Sequence, residues 1–438
     1  MVLQGKRHGP QVASLAGISL ILYGAISYDP KTLFPGYHAL APVLGTAMLL
    51  RWGADGLVGR FLSTPLATGI GKLSYPAYLW HWPILAFLNI NEIRISVPIG
   101  LGVLTATFLL SWLTYRGLEL PARRFLPRPA GGVIAVGAGL PVAASVAIAF
   151  GIVGLQGLPA RFPDSLNKKS EALLAFPNKA RGRCNEGPIT SPLPPDDCVL
   201  GRAGGPVDFV LIGDSHANHF TGFIDELGKA AGMRGYDITQ SQTGFFPGTE
   251  LWLEQNGARA PHRNFVARNR YVEQLLATSR YQAIILAANF PGYTGGLRAS
   301  GGGSEMEVFE RSFQESLRLA SQAATTVVVV TTVPHVNQLY DCSLKNQRFD
   351  RQTDCRASAT EHREHVRTAT STYVKMQAAF PDVIWVMPDK LLCGERFCET
   401  EMDGLPLYKD GGHLNVMGSR LLGRKWLDQY GNPLTRAP

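Results

Sequence analysis

Cysteine is scarce in this 438-residue sequence, and several common site motifs are missing. All six cysteines follow residue 183, and no two form a Cys-x-x-Cys motif. His216 and His219 lie close together, but the sequence places no third metal ligand beside them. No glycine-rich phosphate-binding loop follows a predicted strand. We therefore expect no metal and no tightly bound cofactor.

The sequence also lacks the features of a nucleic-acid-binding protein. Its formal net charge is +8 and its pI is about 9.2, but no basic stripe is interleaved with aromatic residues. Much of the basic excess flanks apolar segments, which indicates a membrane instead. No cleavable signal peptide is evident, because the first apolar stretch has no small-residue cleavage site after it.

Five apolar segments in the first 155 residues are candidates for membrane spans, which need about 20 apolar residues. They cover about residues 10–27, 37–50, 76–92, 96–115 and 131–154, and the second is the weakest because it is short and contains Pro42. Lys and Arg lie before the first span, between the second and third, and between the fourth and fifth. The positive-inside rule makes those three segments cytoplasmic. Residues after about 155 are then expected outside the cytoplasm.

The cysteines fall into three pairs that are close in sequence: Cys184 with Cys198, Cys342 with Cys355, and Cys393 with Cys398. Such pairs predict local disulfides in an oxidising compartment. Six reduced thiols or a metal site are the alternative, since sequence alone does not establish connectivity. The disulfide interpretation agrees with the predicted topology, which rests on different residues.

The stretch 207–217 reads as a buried strand, a Gly-Asp-Ser turn and the start of a helix. Ser215 is placed where free backbone N–H groups and the helix dipole favour a developing oxyanion. The alternative is that Ser215 is only an N-cap and Gly213 only a turn residue.

A second stretch near the C-terminus supplies the partners that a serine nucleophile needs. Asp410 precedes His413 by three residues in a glycine-bearing loop. His413 can act as the base, and Asp410 can fix its tautomer. A Gly-Asp-Ser turn paired with a late Asp-x-x-His resembles the SGNH, or GDSL-like, hydrolases and acyltransferases. The resemblance implies a catalytic triad of Ser215, His413 and Asp410.

Strands and helices alternate from residue 207 onwards, as in a parallel sheet with helices on both faces. We predict strands at 207–212, 236–241, 283–287, 326–332 and 383–387, in a three-layered, flavodoxin-like α/β fold. The segment 156–206 is rich in proline and glycine and is predicted to be a periplasmic linker. The expected organisation is a membrane domain at 1–155, this linker, and an SGNH domain at 207–438.

The resemblance also implies the oxyanion hole. In the SGNH family it is formed by the nucleophile's own N–H, a glycine N–H after the second strand and an asparagine side chain after the third. Ser215, Gly244 and Asn289 stand at these places. Gly244 could equally be an ordinary turn glycine, and Asn289 a cap at the end of a strand.

Two stretches of the apolar half, 73–83 and 115–124, resemble the second half of the acyltransferase family 3 membrane domain. That family includes bacterial O-antigen and peptidoglycan O-acetylases, often with a C-terminal SGNH domain. Its membrane domain has about ten spans, whereas we predict five here. We expect that the missing spans are lost, mis-assigned at the gene start, or supplied by another polypeptide. His81, in the first stretch, is either functional or a hydrogen-bonded structural histidine.

The sequence therefore predicts an inner-membrane O-acyltransferase, with acetyl-CoA as the acyl donor and a cell-envelope glycan as the acceptor. The glycan would be lipopolysaccharide O-antigen or peptidoglycan, met on the periplasmic side. A membrane-tethered SGNH esterase acting on the same glycans is the first alternative. A non-catalytic remnant is the second, favoured by the missing spans and disfavoured by the complete triad.

Overall fold

The structure of the chain, a computed structural model, has two compact units, Met1–Leu155 and Gln156–Pro438. The structure describes residues 11–29, 32, 35–54, 56–91, 93, 95–125, 139–175, 184, 198–255 and 258–435. The predicted basic N-terminus, the start of the fifth span and much of the proposed linker lie outside these residues.

The described part of the N-terminal unit is helical. Its helices are Gln11–Ser27, Leu40–Trp52, Gly56–Leu62, Pro65–Ile90, Val97–Thr114, Leu120–Phe125 and Leu140–Gly154. A π-helical turn at Tyr115–Glu119 joins the fifth helix to the sixth. Among the described residues, one continuous stretch, Val97–Ala122, is long and apolar enough to cross a membrane. Gln11–Ser27 and Leu140–Gly154 are shorter apolar helices.

The first two helices of this unit pack closely because each has a glycine at the contact. A Cβ built on Gly45 would lie 2.6 Å from the carbonyl oxygen of Gly17, and one on Gly17 would lie 2.9 Å from that of Gly45. Small residues at such positions let helix backbones approach one another, as in membrane helix pairs.

The C-terminal unit is built on a six-stranded sheet with the order β1-β3-β2-β6-β8-β10. The strands are β1 Val199–Gly201, β2 Phe209–Gly213, β3 Arg234–Asp237, β6 Tyr281–Ala287, β8 Ala324–Val330 and β10 Ile384–Val386. Five of them are parallel, and their order is the flavodoxin-like 2-1-3-4-5. This α/β architecture agrees with the prediction.

Strand β1 corrects the predicted linker. It pairs antiparallel with β3, from Val199 opposite Tyr236 to Gly201 opposite Arg234. The segment 156–206 also contains the helix Asp164–Leu174, whose Lys169 pairs with Glu401 at 2.6 Å. The end of this segment therefore belongs to the sheet. Its proline and glycine content concealed a three-residue edge strand.

Alternate residues of the central strands pack into two hydrophobic cores, one on each face of the sheet. Val210, Ile284 and Val327 belong to one core, which the helices Phe265–Thr278 and Glu305–Ala323 cover. Leu211 and Ile285 belong to the other, covered by helices that include Thr221–Ala231 and Val416–Tyr430. This alternation produces the three layers, because successive strand residues point to opposite faces.

A second, three-stranded sheet was not predicted. Its order is β5-β4-β7, with β4 Glu250–Gln255, β5 Ala258–Pro261 and β7 Leu297–Arg298. Its strands are short and carry several charged residues, so no apolar run marks them. The remaining short strands are β9 Ala357–Ser358, β11 Phe397–Cys398, β12 Glu401–Met402 and β13 Leu405–Pro406.

Candidate active site

Ser215 lies at the junction of β2 and a short helix, Ser215–His219. Gly213 ends β2 with φ +150°, and a Cβ there would lie 1.7 Å from the carbonyl oxygen of Ala287. Only glycine therefore lets β2 approach β6 this closely at the turn. Asp214 is the N-cap, and its carboxylate accepts a 2.8 Å hydrogen bond from the His216 N–H.

Ser215, His413 and Asp410 are brought together although the serine and histidine are 198 residues apart in the chain. Ser215 Oγ lies 3.0 Å from His413 Nε2. His413 Nδ1 lies 3.0 Å and 3.2 Å from the two carboxylate oxygens of Asp410. With the proton on Nδ1, the ring donates to Asp410 and leaves Nε2 free to accept the serine proton.

Asp410 is held in its ionised form. Burial by itself would raise the pKa of Asp410, but the hydrogen bond from the His413 ring, the backbone N–H groups of Gly412 and His413 and the charge of His413 together outweigh it. The backbone N–H groups of Gly412 and His413, at 3.0 Å and 2.8 Å, act in the same direction. The pKa of Asp410 is therefore well below its usual value, so the carboxylate is present at any physiological pH.

Asn289 lies at the end of β6, next to the serine, and lines the same cleft. Its backbone N–H donates to Asp214 at 3.0 Å. Its side-chain Oδ1 is buried and has no hydrogen-bond partner among the described residues. A Cβ on Gly292 would lie 3.0 Å from Asn289 Nδ2, so a glycine there leaves room for the amide.

Gly244 does not have the free N–H that the oxyanion prediction requires. Its N–H donates to Tyr293 Oη at 2.8 Å, and the residue is not among those that line the cleft at Ser215. The predicted role of Gly244 is therefore corrected. The SGNH resemblance requires a glycine after the second strand, and Gly244 is at that position. The sequence could not show that its N–H donates to Tyr293, 49 residues further along the chain.

Tyr293 and Asp214 form a buried network that joins three loops. Tyr293 Oη accepts from Gly244 and donates to Asp214 at 2.9 Å. Burial raises the pKa of Asp214, although its hydrogen bonds from Asn289, His216 and Tyr293 oppose the shift. Burial and the nearby Asp214 raise the pKa of Tyr293 well above its ordinary value, so the hydroxyl remains a donor. The network fixes the loops after β2, β3 and β6 relative to one another.

Gln242 lines the cleft beside Ser215 in an unusual backbone conformation. Its φ is +57°, in the left-handed region that favours glycine. The turn is closed by a 3.1 Å hydrogen bond from the Thr243 N–H to the Gln240 carbonyl, and the Gln240 N–H donates to the Gly213 carbonyl. The turn is thus attached to β2 just before the nucleophile. Strained residues of this kind cluster at functional sites.

Further histidines surround His413. The ring of His216 lies 4.6 Å from that of His413 and 6.0 Å from that of His335, and the His335 ring lies 4.7 Å from that of His365. Burial, together with the charges of His413 and His335, puts the pKa of His216 well below its usual value. The described residues contain no group of three or more His, Cys, Asp or Glu that could hold a metal ion.

The cleft at Ser215 has a volume of about 230 Å³ and two kinds of wall. Ser215, Asn289 and Gln242 form a polar side, while Leu251 and Leu253 of β4 form an apolar side. A serine hydroxyl within hydrogen-bond reach of a histidine, beside a half-apolar cleft, is an arrangement that can bind an ester and attack its carbonyl.

Residues 183–428, more than half of the chain, match the family described as "SGNH domain (fused to AT3 domains)". The chain belongs to this family. The match covers the whole six-stranded sheet, including β1.

The curated relatives include acetyltransferases and a transacylase. O-acetyltransferase OatA of Staphylococcus aureus (strain NCTC 8325 / PS 47) is 34% identical over 84 residues, 17% of this chain and 14% of the relative. Putative membrane-bound transacylase BcsY of Komagataeibacter xylinus is 28% identical over 135 residues, 31% of this chain and 34% of the relative. The matches thus span about a seventh and a third of these proteins.

Among solved structures, the periplasmic domain of a lipopolysaccharide acetyltransferase from Salmonella ser. Paratyphi A matches with a TM-score of 0.40 and 16% identity. The match covers 62% of this chain and 98% of that one.

Three disulfides join the cysteines of the C-terminal unit. They are Cys184–Cys198, Cys342–Cys355 and Cys393–Cys398, which are the pairs that are close in sequence. No free cysteine occurs among the residues that the structure describes. The first disulfide attaches Cys184 to the SGNH domain immediately before β1.

The residues singled out in the N-terminal unit lie on two helices. His81 Nδ1 lies 2.6 Å from the carbonyl oxygen of Tyr78, three residues earlier in its own helix. Trp80 Nε1 donates to Thr114 Oγ1 at 2.8 Å and so joins the helices Pro65–Ile90 and Val97–Thr114. The described hydrogen bonds of His81 are with carbonyl oxygens of its own helix, as the structural interpretation predicts.

Sequence reasoning missed Tyr293 and Gln242 in the SGNH domain. In the sequence, the one indication of the buried network around Tyr293 was that the polar residue Asp214 directly follows a buried strand and precedes Ser215. Nothing in the sequence marked Gln242, because a left-handed turn is recognised from glycine or asparagine.

Proposed function

We propose that this chain is a membrane-bound O-acetyltransferase that modifies a bacterial cell-surface polysaccharide through Ser215. The observation that carries the proposal is the continuous hydrogen-bonded line from Ser215 through His413 to Asp410. The names of the OatA and BcsY relatives support the acyl-transfer class.

In the first half-reaction, His413 Nε2 takes the proton of Ser215 Oγ while Oγ attacks the acyl carbonyl of the donor. Collapse of the tetrahedral intermediate breaks the bond to the leaving group, which takes the proton from His413. Asp410 stabilises the imidazolium of His413, and the Nδ1 proton stays on the histidine ring throughout. Ser215 then carries the acyl group as an ester.

The second half-reaction runs the same steps with the acceptor. A glycan hydroxyl gives its proton to His413 Nε2 and attacks the Ser215 ester, and the released Oγ takes the proton back. Water in place of the sugar would give an esterase, so the acceptor decides between transfer and hydrolysis.

The oxyanion of each tetrahedral intermediate would be bound by three donors: the Ser215 N–H, the Asn289 side chain and the Gln242 N–H. Gln242 replaces Gly244 in this proposal, because Gly244 donates to Tyr293 and Gln242 lines the cleft in a left-handed turn. Losing one such donor typically lowers kcat by about 10²- to 10³-fold.

For the N-terminal unit we propose a multi-pass membrane domain of the acyltransferase family 3 type, with residues after about 155 in the periplasm. The apolar helices and the distribution of Lys and Arg between them support this topology. The membrane domain would take the acetyl group from cytoplasmic acetyl-CoA and carry it across the bilayer to the donor site at Ser215, and an envelope glycan would accept it outside.

The decisive experiment measures the acetyl content of surface glycan in a deletion strain. Complementation with the chain should restore acetylation, and complementation with Ser215→Ala should not. If deletion instead raises acetylation and the SGNH domain alone lowers it again, the chain is an esterase. Reporter fusions at Arg124 and Gly205 should report opposite sides of the membrane.

A further inference from the structure

A second cavity in the C-terminal unit, with a volume of about 390 Å³, is larger than the cleft at Ser215. It lies between the helix Phe265–Thr278 and the sheet of β4 and β7. The polar side chains that line it include those of Thr249, Glu250, Asn269, Arg270, Glu273 and Arg298.

The two arginines that line this cavity keep N–H donors available, whereas the side chains of Thr249, Glu250 and Asn269 are already hydrogen-bonded within the protein. Within the described residues, neither Arg270 nor Arg298 has an ion-pair partner within 4 Å. Each guanidinium carries five N–H donors. Burial raises the pKa of Glu273, Arg270 partly opposes the shift, and the nearby Glu315 adds to it. A concave site with free guanidinium donors beside carboxylate groups favours a polar ligand.

Arg298 is held in one orientation. Its guanidinium stacks on the ring of Trp252 at 4.3 Å, and the Trp252 indole donates to Glu250 Oε2 at 3.1 Å. Stacking covers the face of the guanidinium and leaves its in-plane N–H groups available. A fixed arginine binds a ligand with less loss of side-chain entropy than a mobile one.

The cavity and the cleft at Ser215 lie on either side of one strand. Glu250 lines the cavity, and the next residue, Leu251, lines the cleft. Consecutive strand residues point to opposite faces, so β4 is the wall between the two spaces. Asn269 also lines the cavity and is hydrogen-bonded to the loop after β3. Its side chain accepts from the Phe246 N–H at 2.7 Å and donates to the Gly244 carbonyl.

We propose that this cavity is a second subsite for the acceptor glycan. It would bind a neutral, hydroxyl-rich sugar unit, other than the unit of the same glycan whose hydroxyl is acylated. The inference rests on the proposed function. Two arginines and two glutamates give the cavity no net charge, which disfavours a phosphate or a uronate. Hydroxyl groups both donate and accept, so one sugar can satisfy guanidinium and carboxylate together.

The test uses the full chain in detergent with Ser215→Ala, so that no turnover occurs. Isothermal titration calorimetry measures the Kd of maltotetraose, chitotetraose and tetragalacturonate. We expect at least one neutral tetrasaccharide to bind, with its Kd raised five- to tenfold or more by Arg298→Ala and by Arg270→Ala. Arg367→Ala is the matched control, because Arg367 is exposed and lines neither cavity; its Kd should stay within twofold of the parent.

The inference is overturned if neither neutral sugar binds, if both arginine variants bind as the control does, or if only tetragalacturonate binds. Arg298→Lys guards against misfolding. It keeps the charge and loses the planar N–H edge, so its Kd should also rise, while its thermal unfolding should match that of the control. Hydrolysis of 4-nitrophenyl acetate by the parent with Ser215 intact is measured separately. Its absence would remove the proposed function and leave the binding result standing.

Discussion

The two units of the chain expose very different side chains. In the N-terminal unit, large apolar residues such as Trp82 and Phe150 are 69% and 75% exposed. Among the described residues from 156 onwards, the large apolar side chains that are comparably exposed are those of Leu158, Leu174 and Val374. The C-terminal unit thus buries most of its apolar surface within its own core, whereas the N-terminal helices leave many large apolar side chains uncovered, a pattern typical of membrane helices.

Their polar groups differ as well. The C-terminal unit has a buried network in which Asp214, Tyr293 and Gly244 connect loops far apart in sequence. In the N-terminal unit, Trp80 and Thr114 form the described side-chain bond between its long helices. The described polar side chains of the C-terminal unit thus form a buried network, whereas those of the N-terminal unit mainly support helix packing, and we therefore expect the serine chemistry to lie in the C-terminal unit.

The largest expected effect would test whether the chemistry belongs to one unit. Ser215→Ala should lower the hydrolysis of 4-nitrophenyl acetate by about 10⁴-fold or more, both in the full chain and in residues 156–438 alone. Stopped-flow or plate assays of nitrophenolate release measure it. Hydrolysis that survives this substitution would move the active site elsewhere.

A smaller effect is expected at Gln242, where two substitutions separate backbone from side chain. Gln242→Val should lower kcat by about 10²-fold with little change in KM, because a β-branched residue disfavours φ +57° and the N–H turns away. Gln242→Gly should keep kcat within a few-fold. Equal losses in both variants would mean that the side chain acts, and no loss in either would exclude the residue.

Disulfide removal should affect only the C-terminal unit. Replacing both Cys342 and Cys355 by serine should lower its free energy of unfolding by about 2–3 kcal/mol, since a loop of 13 residues is no longer closed in the unfolded chain. Thermal unfolding of residues 156–438 measures this. An unchanged melting temperature would show that the bond contributes nothing.

A matched pair of glycines tests the N-terminal unit. Gly45→Ala should destabilise the first helix pair by about 1–3 kcal/mol, because its Cβ would meet the Gly17 carbonyl oxygen. Gly69→Ala is the control, with nothing within 4 Å of its Cβ. Glycan acetylation in cells should fall only with Gly45→Ala, and ester hydrolysis should fall with neither. A parallel fall in hydrolysis would break the separation of the two units.

The smallest effect concerns pH. His216 is a base whose pKa is lowered in the folded state by burial and by His413 and His335. The unfolded chain therefore binds a proton below about pH 6.5 that the folded chain does not, and stability falls by about 1.4 kcal/mol per pH unit below that value. Melting temperatures of residues 156–438 from pH 7.5 to 5 should fall less steeply for His216→Asn. Parallel curves would contradict the assignment.

Several elements of the C-terminal unit could be predicted from short stretches of the sequence. The strands β2, β6 and β8 are continuous apolar runs, which buried parallel strands require. Gly213, Asp214 and Ser215 carry the turn chemistry in adjacent positions, and the three disulfides join neighbours in sequence. In each case the determining interaction acts over a few residues, so its signal is present in the residues themselves.

What the sequence by itself determined is therefore the class of fold and the candidates for the chemistry. The tertiary structure alone decided which of these residues come into contact. It brings His413 to Ser215 across 198 residues, and it places Tyr293 where its hydroxyl accepts the hydrogen bond of the Gly244 N–H. It also decided the strained turn at Gln242 and the charged strand β4, whose conformations depend on distant neighbours. Local patterns record what a residue prefers, while long-range packing selects the partner it receives.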